Sequence, residues 1–356
     1  MPGQLHTINI TNAGQSTFAK GWKDYQAMAS YDQQAWFRVP TRFNGEQLTI
    51  EHASSEPTVY YAYFTPYLKN RHQSLLSQVT SADLCQHKVL GYTPDGNVID
   101  QLIIGEEGQN KQKVWITARQ HPGETMAQWF VDGLINALLN GSPLSENILD
   151  KAVFYIMPNM NPDGSASGNH RTNARGVNLN RQWALPDETD CPEVFHVRQA
   201  MLDTGVDMFF DIHGDEVLPY NFMMGGFSSP ELTQQAADFK GDYAAANSDF
   251  QVEYDYDNTG GGCCTETSGC GKAKLTTATA FVEHQFECLS LLLEMPFTGW
   301  SAQRSIALGQ SLLEPIGKAL KVTAHPHNIL GSKNQLTPRT HHTEQNSAIP
   351  GLHAPV

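Results

Sequence analysis

Basic residues are scarce in this chain. Its 356 residues carry 23 Lys and Arg against 37 Asp and Glu, a formal net charge of −14. That balance argues against nucleic acid or an anionic membrane as a main partner. It leaves room for an acidic substrate, because a few arginines can set the local field of a cleft. Long apolar runs are missing too: none reaches the ~20 residues that a membrane-spanning helix needs. The opening "MPGQLHTINITNAG" has neither a basic n-region nor an apolar h-region, so no secretory signal is expected. Six cysteines, at 85, 191, 263, 264, 270 and 288, form no Cys-x-x-Cys pair. A chain of this length needs no disulfide framework, and a reduced, cytoplasmic setting is expected. The run "GGCCTETSGCGK" is the one place for a second metal or a redox pair, with buried or inert thiols the competing reading. No internal repeat is visible.

What remains is an ordinary globular mixture, 40% hydrophobic and 17% charged, long enough for two domains. Up to residue 66, the runs "LHTINI", "QAWFRVP", "EQLTIEH" and "VYYAYF" are rich in β-branched and aromatic residues between Gly, Asn, Ser and Pro. They predict antiparallel strands in a small all-β, sandwich-like domain. From residue 67 to about 330 the pattern alternates. "KVWITA", "AVFYIM", "VDMFFDI" and "LSLLLEM" read as strands buried on both faces of a largely parallel sheet. "YLKNRHQSLLSQV", "ETMAQWFVDGLINALLNG", a region near 188–204 and "SAQRSIALGQSLLEPIGKAL" read as helices. The fold expected is α/β, a mixed, largely parallel sheet flanked by helices. Residues 331–356 are polar and read as an irregular tail.

The pattern His-x-x-Glu occurs four times, at His121 and Glu124, His213 and Glu216, His284 and Glu287, and His341 and Glu344. Spacing alone selects none of them, so position must. Ligands in open α/β sheets bind beyond the carboxyl ends of the strands. His121 follows "KVWITA", His213 ends "VDMFFDIH" and Glu294 ends "LSLLLE". Glu124 is placed in the first turn of the next helix, where its charge suits the helix dipole. His121, Glu124 and His213 together make a His₂Glu set, which leaves a zinc ion one open position for water. The competing reading of His121 and Glu124 alone is a helix-start pair; for Glu294 it is a buried carboxylate paired with arginine. Glu216 reads as the start of a departing loop, His284 and Glu287 as a solvated face, and the tail pair as incidental.

A second constellation, "NPDGSASGNHRTNARGVNLNRQW", opens with a Pro-Asp-Gly turn and collects Arg171, Arg175 and Arg181. A planar guanidinium suits bidentate binding of a carboxylate and can stabilise a developing oxyanion. A solvated basic loop is the competing reading, strongest at Arg175 and weakest at Asn180 and Arg181 beside Trp183.

"HPGE", "NMNPDG", "GNHR", "GVNLNRQW", "DIHG" and "LLLEMPFTG", in this order, resemble the zinc metallocarboxypeptidases. They are more closely similar to the cytosolic carboxypeptidase-like branch, related to tubulin deglutamylases. "GWKDYQAMASYDQQAWFRVPT" and "YYAYFTPY" resemble the β-sandwich domain that precedes the catalytic domain there. The resemblance implies one Zn2+ per chain, bound by His121, Glu124 and His213. It implies that Arg171 polarises the scissile carbonyl, that Asn180 and Arg181 grip the substrate's terminal carboxylate, and that Glu294 is the general base. The metal acidifies a water molecule while Glu294 takes its proton and passes it to the leaving amine. Asn178 stands where the family often has an Asp supporting the first zinc histidine, and a neutral amide raises ligand basicity less. Tyr243, Tyr254 and Tyr256 are candidates for the family's mobile tyrosine, with no local motif to choose among them.

The activity implied is removal of a C-terminal residue from a peptide or protein, through a peptide or glutamyl isopeptide-like bond. A preference for acidic termini would call for a cation in the specificity pocket, with Lys272 and Lys274 the nearest candidates and a solvated lysine pair the competing reading. Two other functions compete: a zinc amidohydrolase that deacylates a small N-acyl amino acid, and an inactive peptide-binding relative. The early β domain argues against the first. The intact His121, Glu124, His213 and Glu294 argue against the second.

Overall fold

A strand buried on both faces must offer apolar side chains at odd and even positions alike, and four strands at the centre of this protein do so. The computed structural model describes residues 3–256 and 275–322. The cluster Cys263, Cys264 and Cys270, the pair Lys272 and Lys274, and the tail with His341 and Glu344 lie outside the described residues.

The N-terminal region is β-rich, as its composition predicts. Its strands are β1 (Leu5–Ile10), β2 (Met28–Ser30), β3 (Trp36–Arg38), β4 (Thr41–Phe43), β5 (Leu48–Ala53) and β6 (Tyr60–Ala62). They form two three-stranded antiparallel sheets, ordered β1-β5-β4 and β3-β2-β6. Ala13, Tyr25, Ala27, Ala29, Val39, Leu48 and Ile50 make a small core there.

Helix α1 (Lys69–Thr80) leads into an antiparallel pair, β7 (Cys85–Tyr92) and β8 (Val98–Ile104), and then β9 (Gln112–Ala118). Helices α2 (Met126–Leu138) and α3 (Pro143–Leu149) precede β10 (Ala152–Met157). Helices α4 (Pro162–Ser167) and α5 (Pro192–Thr204) precede β11 (Met208–Ile212). Next come β12 (Phe222–Gly225), α6 (Pro230–Ala246), α7 (Ala278–Phe286), β13 (Leu289–Glu294), α8 (Ala302–Ser311) and α9 (Leu313–Val322). The sheet order is β12-β13-β11-β9-β10-β8-β7; β13, β11, β9 and β10 are parallel, and the outer strands pair antiparallel.

Two cores flank this sheet. Val114, Ile116, Phe154, Ile156, Phe210, Ile212, Leu291 and Leu293 face the core built with α2, α6, α8 and α9. Trp115, Val153, Tyr155 and Phe209, the intervening residues, face the core built with α5 and α7. That period of two explains why both sides read as apolar. From β9 the chain steps outward to β10, then crosses back to β11 on the other side of β9. The crevice between the ends of β9 and β11 is therefore the switch point where such sheets bind ligands.

Three local expectations change. The Pro-Asp-Gly "turn" starts α4, capped by the Asn161 side chain, which accepts from Gly164 N at 3.0 Å. The long C-terminal helical run divides at Leu312 into α8 and α9. Glu124 lies outside α2, which begins two residues later.

Candidate metal centre and active site

β9 and β11 run parallel with Ala118 opposite Ile212. His121 follows the first strand and His213 the second, so both rings reach the switch-point crevice. The turn Pro122-Gly123 then folds Glu124 back: Glu124 N donates to His121 O at 3.1 Å, and Gly123 N to His170 O at 2.9 Å. A Cβ on Gly123 would sit 2.8 Å from that His170 oxygen, so only glycine permits this approach. The loop, rather than the first turn of α2, aims Glu124.

All three side chains are buried. His121 Nδ1 lies 2.6 Å from Glu124 Oε1 and His213 Nδ1 lies 2.7 Å from Glu124 Oε2. The two Nδ1 atoms are 3.2 Å apart. Among the described residues this is the one group of three or more His, Cys, Asp or Glu close enough to hold a metal, with ligand atoms within 4.8 Å of one another. Two imidazole nitrogens on one tetrahedral zinc would stand about 3.3 Å apart, so these donors fit the ion. Their outer nitrogens are occupied. His121 Nε2 is 3.1 Å from Asn178 Oδ1, and His213 Nε2 is 2.8 Å from Asp211 Oδ2. An outer oxygen that accepts the Nε2 proton turns the Nδ1 lone pair toward the metal.

Asp211 lies inside the apolar run "VDMFFDI", whose other acidic residue, Asp207, stands before the strand begins at Met208. Asp211 stands two positions before His213, on the same side of the chain, and is fully buried. Thr117 Oγ1 donates to its Oδ1 at 2.7 Å, and Gln120 Nε2 to its Oδ2 at 2.7 Å. Gln120 is held in turn by Trp183 Nε1 at 2.9 Å. Asp211→Asn is expected to weaken zinc binding by about 10–100-fold with the fold retained, as measured by chelator competition and melting temperature. Unchanged affinity would remove Asp211 from the metal's support.

Burial disfavours charge on both rings. At His121 it prevails and lowers the pKa, whereas at His213 the Asp211 and Glu124 carboxylates outweigh it and raise the pKa. Burial alone would raise the Glu124 pKa, but the two histidines hold it well below the usual carboxylate range. Two carboxylates thus converge on histidines among buried side chains, an environment that a divalent cation suits.

Glu294 ends β13, the neighbour of β11, and His213 N donates to Leu293 O at 2.8 Å. Its carboxyl is pushed well above the usual range, first by burial, with Glu124 and Asp215 adding to the shift and His213 opposing it. Oε1 lies 2.9 Å from Tyr256 Oη, which is also 2.7 Å from Asp215 Oδ2. Oε2 is buried and has no hydrogen-bond partner among the described residues. Of the three tyrosines left open, Tyr243 donates to Leu308 O inside the core and Tyr254 stacks on Tyr220. Only Tyr256 reaches Glu294, a contact across 38 residues that no local pattern signals.

The arginine-rich loop is more divided. Arg171 is half-buried, its guanidinium 5.3 Å from the Phe18 ring centroid. Its charge is felt at His121. Asn180 is buried, with Nδ2 3.3 Å from His213 Nε2 and Oδ1 accepting from Ala278 N at 2.9 Å. Arg181 is exposed and donates to Asn180 O at 2.7 Å. Arg175 is exposed as well. Glu216 turns away from the metal group to pair with His170 at 2.7 Å, and His284 and Glu287 are exposed.

The zinc carboxypeptidase family profile matches residues 73–318, and that of the cytosolic carboxypeptidase N-terminal domain matches residues 1–64. The chain belongs to the zinc carboxypeptidase family. As a metallocarboxypeptidase it is a hydrolase, its cofactor is Zn2+, and it falls in the cytosolic carboxypeptidase-like branch. A metallo-carboxypeptidase from Burkholderia cenocepacia is 41% identical, with a TM-score of 0.84 over 90% of this chain and 87% of that one. One from Pseudomonas aeruginosa, solved with (2-guanidinoethylmercapto)succinic acid, is 36% identical, with a TM-score of 0.83 over 90% and 88%. Mouse cytosolic carboxypeptidase 6 is 31% identical over 199 residues, 52% of this carboxypeptidase but only 37% of the mouse protein. No described helix is long and apolar enough to cross a membrane.

Proposed function

We propose that this carboxypeptidase removes the C-terminal residue of a peptide or protein, through a peptide bond or a glutamyl isopeptide-like bond. The observation that carries the reading is Glu294 Oε2, a buried carboxylate oxygen that has no partner among the described residues and lies beside the His₂Glu group. Unsatisfied buried acceptors are rare, and a base awaiting a water proton is one that function explains. His121, Glu124 and His213 would hold zinc, which when bound polarises the scissile carbonyl and acidifies a water molecule. Glu294 takes the proton at Oε2 and delivers it to the leaving amine. Burial raises its pKa above the usual carboxylate range, which strengthens it as a proton acceptor. Arg171 stabilises the charge developing on the carbonyl oxygen.

The Arg181 N–H groups other than the one given to Asn180 O, and a hydrogen on Asn180 Nδ2, bind the terminal carboxylate. The dicarboxylate bound by the Pseudomonas relative supports recognition of such groups. The relatives' name supports a cytoplasmic setting, and the resemblance to the deglutamylase-related branch is the ground for proposing an acidic terminal residue as the preferred one. We also propose the bounds 1–66 for the N-terminal β domain, 67–330 for the catalytic domain and 331–356 for a tail.

The test is mass spectrometry of a peptide panel with varied C-termini, including glutamate-rich and branched ends. Single-residue shortening, fastest at acidic ends, is the expected result. Shortening without acidic preference would discard the specificity alone. Cleavage confined to N-acyl amino acids would replace the reading with an amidohydrolase.

A further inference from the structure

The N-terminal β region touches all three loops on which the site depends. Arg38 Nη2 donates to the carbonyls of Phe297 and Trp300 at 2.5 and 2.8 Å, on the loop that follows Glu294. Tyr63 packs on Phe297 with ring centroids 4.6 Å apart. Gly21 lies so close to Glu216, three residues after His213, that an added Cβ would sit 2.9 Å from the Glu216 carbonyl oxygen. The third contact is Phe18. Its ring lies 5.3 Å from the His170 ring and 5.3 Å from the Arg171 guanidinium.

Arg171 forms no salt bridge among the described residues, so the face of Phe18 is the restraint visible on its charged end. A guanidinium within about 6 Å of an aromatic centroid is attracted to the ring face. Arginine loses rotamer entropy on being fixed, so holding it before substrate arrives matters to its effectiveness. The ring itself is anchored. Phe18 caps the turn Ala19–Trp22, whose Trp22 Nε1 is held by Ala13 O at 3.1 Å and Ser16 Oγ at 2.8 Å. His170, pressed on the same ring, is tied to Glu216 at 2.7 Å.

We infer that Phe18, from the N-terminal region, is a positioning residue that holds Arg171 in register with the scissile carbonyl. The inference rests on the proposed role of Arg171. It makes the N-terminal region part of the active-site wall.

Kinetics of Phe18→Ala, Phe18→Leu and Phe18→Tyr test it, alone and with Arg171→Ala, on a C-terminal peptide substrate. Phe18→Ala and Phe18→Leu are expected to lower kcat about 2- to 30-fold, the range of one cation–π contact, with KM, zinc content and melting temperature little changed. Phe18→Tyr, which keeps the ring, is expected to restore kcat. In the Arg171→Ala background, Phe18→Ala is expected to add nothing. If Arg171→Ala removes turnover while Phe18→Ala leaves it intact, the positioning role is wrong and the role of Arg171 stands. If the two losses multiply, or if leucine serves as well as tyrosine, Phe18 is only packing and the inference falls. If Arg171→Ala keeps full turnover, the underlying role of Arg171 fails, and the inference with it.

Discussion

Glu294→Gln is expected to keep its zinc and lose kcat by about 10²–10⁴-fold. The substitution is nearly isosteric, and the amide can still accept from Tyr256 Oη, which lies 2.9 Å from Oε1 in the parent. The position of Oε2 is then taken by an NH₂ group, which cannot take a proton. Because Glu294 is absent from the His121, Glu124 and His213 group, metal content should stay at one ion per chain. Steady-state kinetics paired with metal analysis of the same sample reads both quantities. Turnover within twofold of the parent would require another base, and loss of zinc would make Glu294 a ligand.

His121→Ala is expected to abolish stoichiometric zinc binding and, with it, peptide hydrolysis. The variant removes one of three donors and leaves the Glu124 carboxylate, buried and held at 2.6 Å by that ring, to His213 and the Gly214 N–H. Breaking a buried pair on one side strands a desolvated charge, a cost that falls on the protein whether or not metal is present. Metal analysis after dialysis, with a melting curve, separates the two effects. Full zinc retention would overturn the ligand assignment.

Much of this site was legible because its residues end strands, and the strands were legible because both of their faces are buried. "KVWITA" and "AVFYIM" sit in the interior of the sheet, where the environment imposes apolarity at every position. Strand β7 is illegible for the opposite reason. Gln86, His87, Lys88 and Val89 are exposed, so β7 carries no apolar signature. Helix α6 did leave a trace, Leu232, Ala236, Phe239 and Tyr243 at spacings of four, three and four, which matches one helical face. Glu124 falls two residues short of α2, outside its first turn, because Pro122 and Gly123 delay the helix. Tyr256 was undecidable, since its partners Asp215 and Glu294 lie 41 and 38 residues away and only tertiary folding brings them together. The same holds for Phe18 and Arg171.

The alternation along β11 also guards against misassembly. Met208, Phe210 and Ile212 face the core with α2, while Phe209, Asp211 and His213 fall on the other side. A pairing slip of one residue would exchange the two sets, driving Asp211 into a wholly apolar layer and turning His213 away from His121. The penalty for that error, an unpaired carboxylate in hydrocarbon, far exceeds the loss of a few strand hydrogen bonds. The misregistered chain is thus rejected by its own folding energetics before any metal could test it.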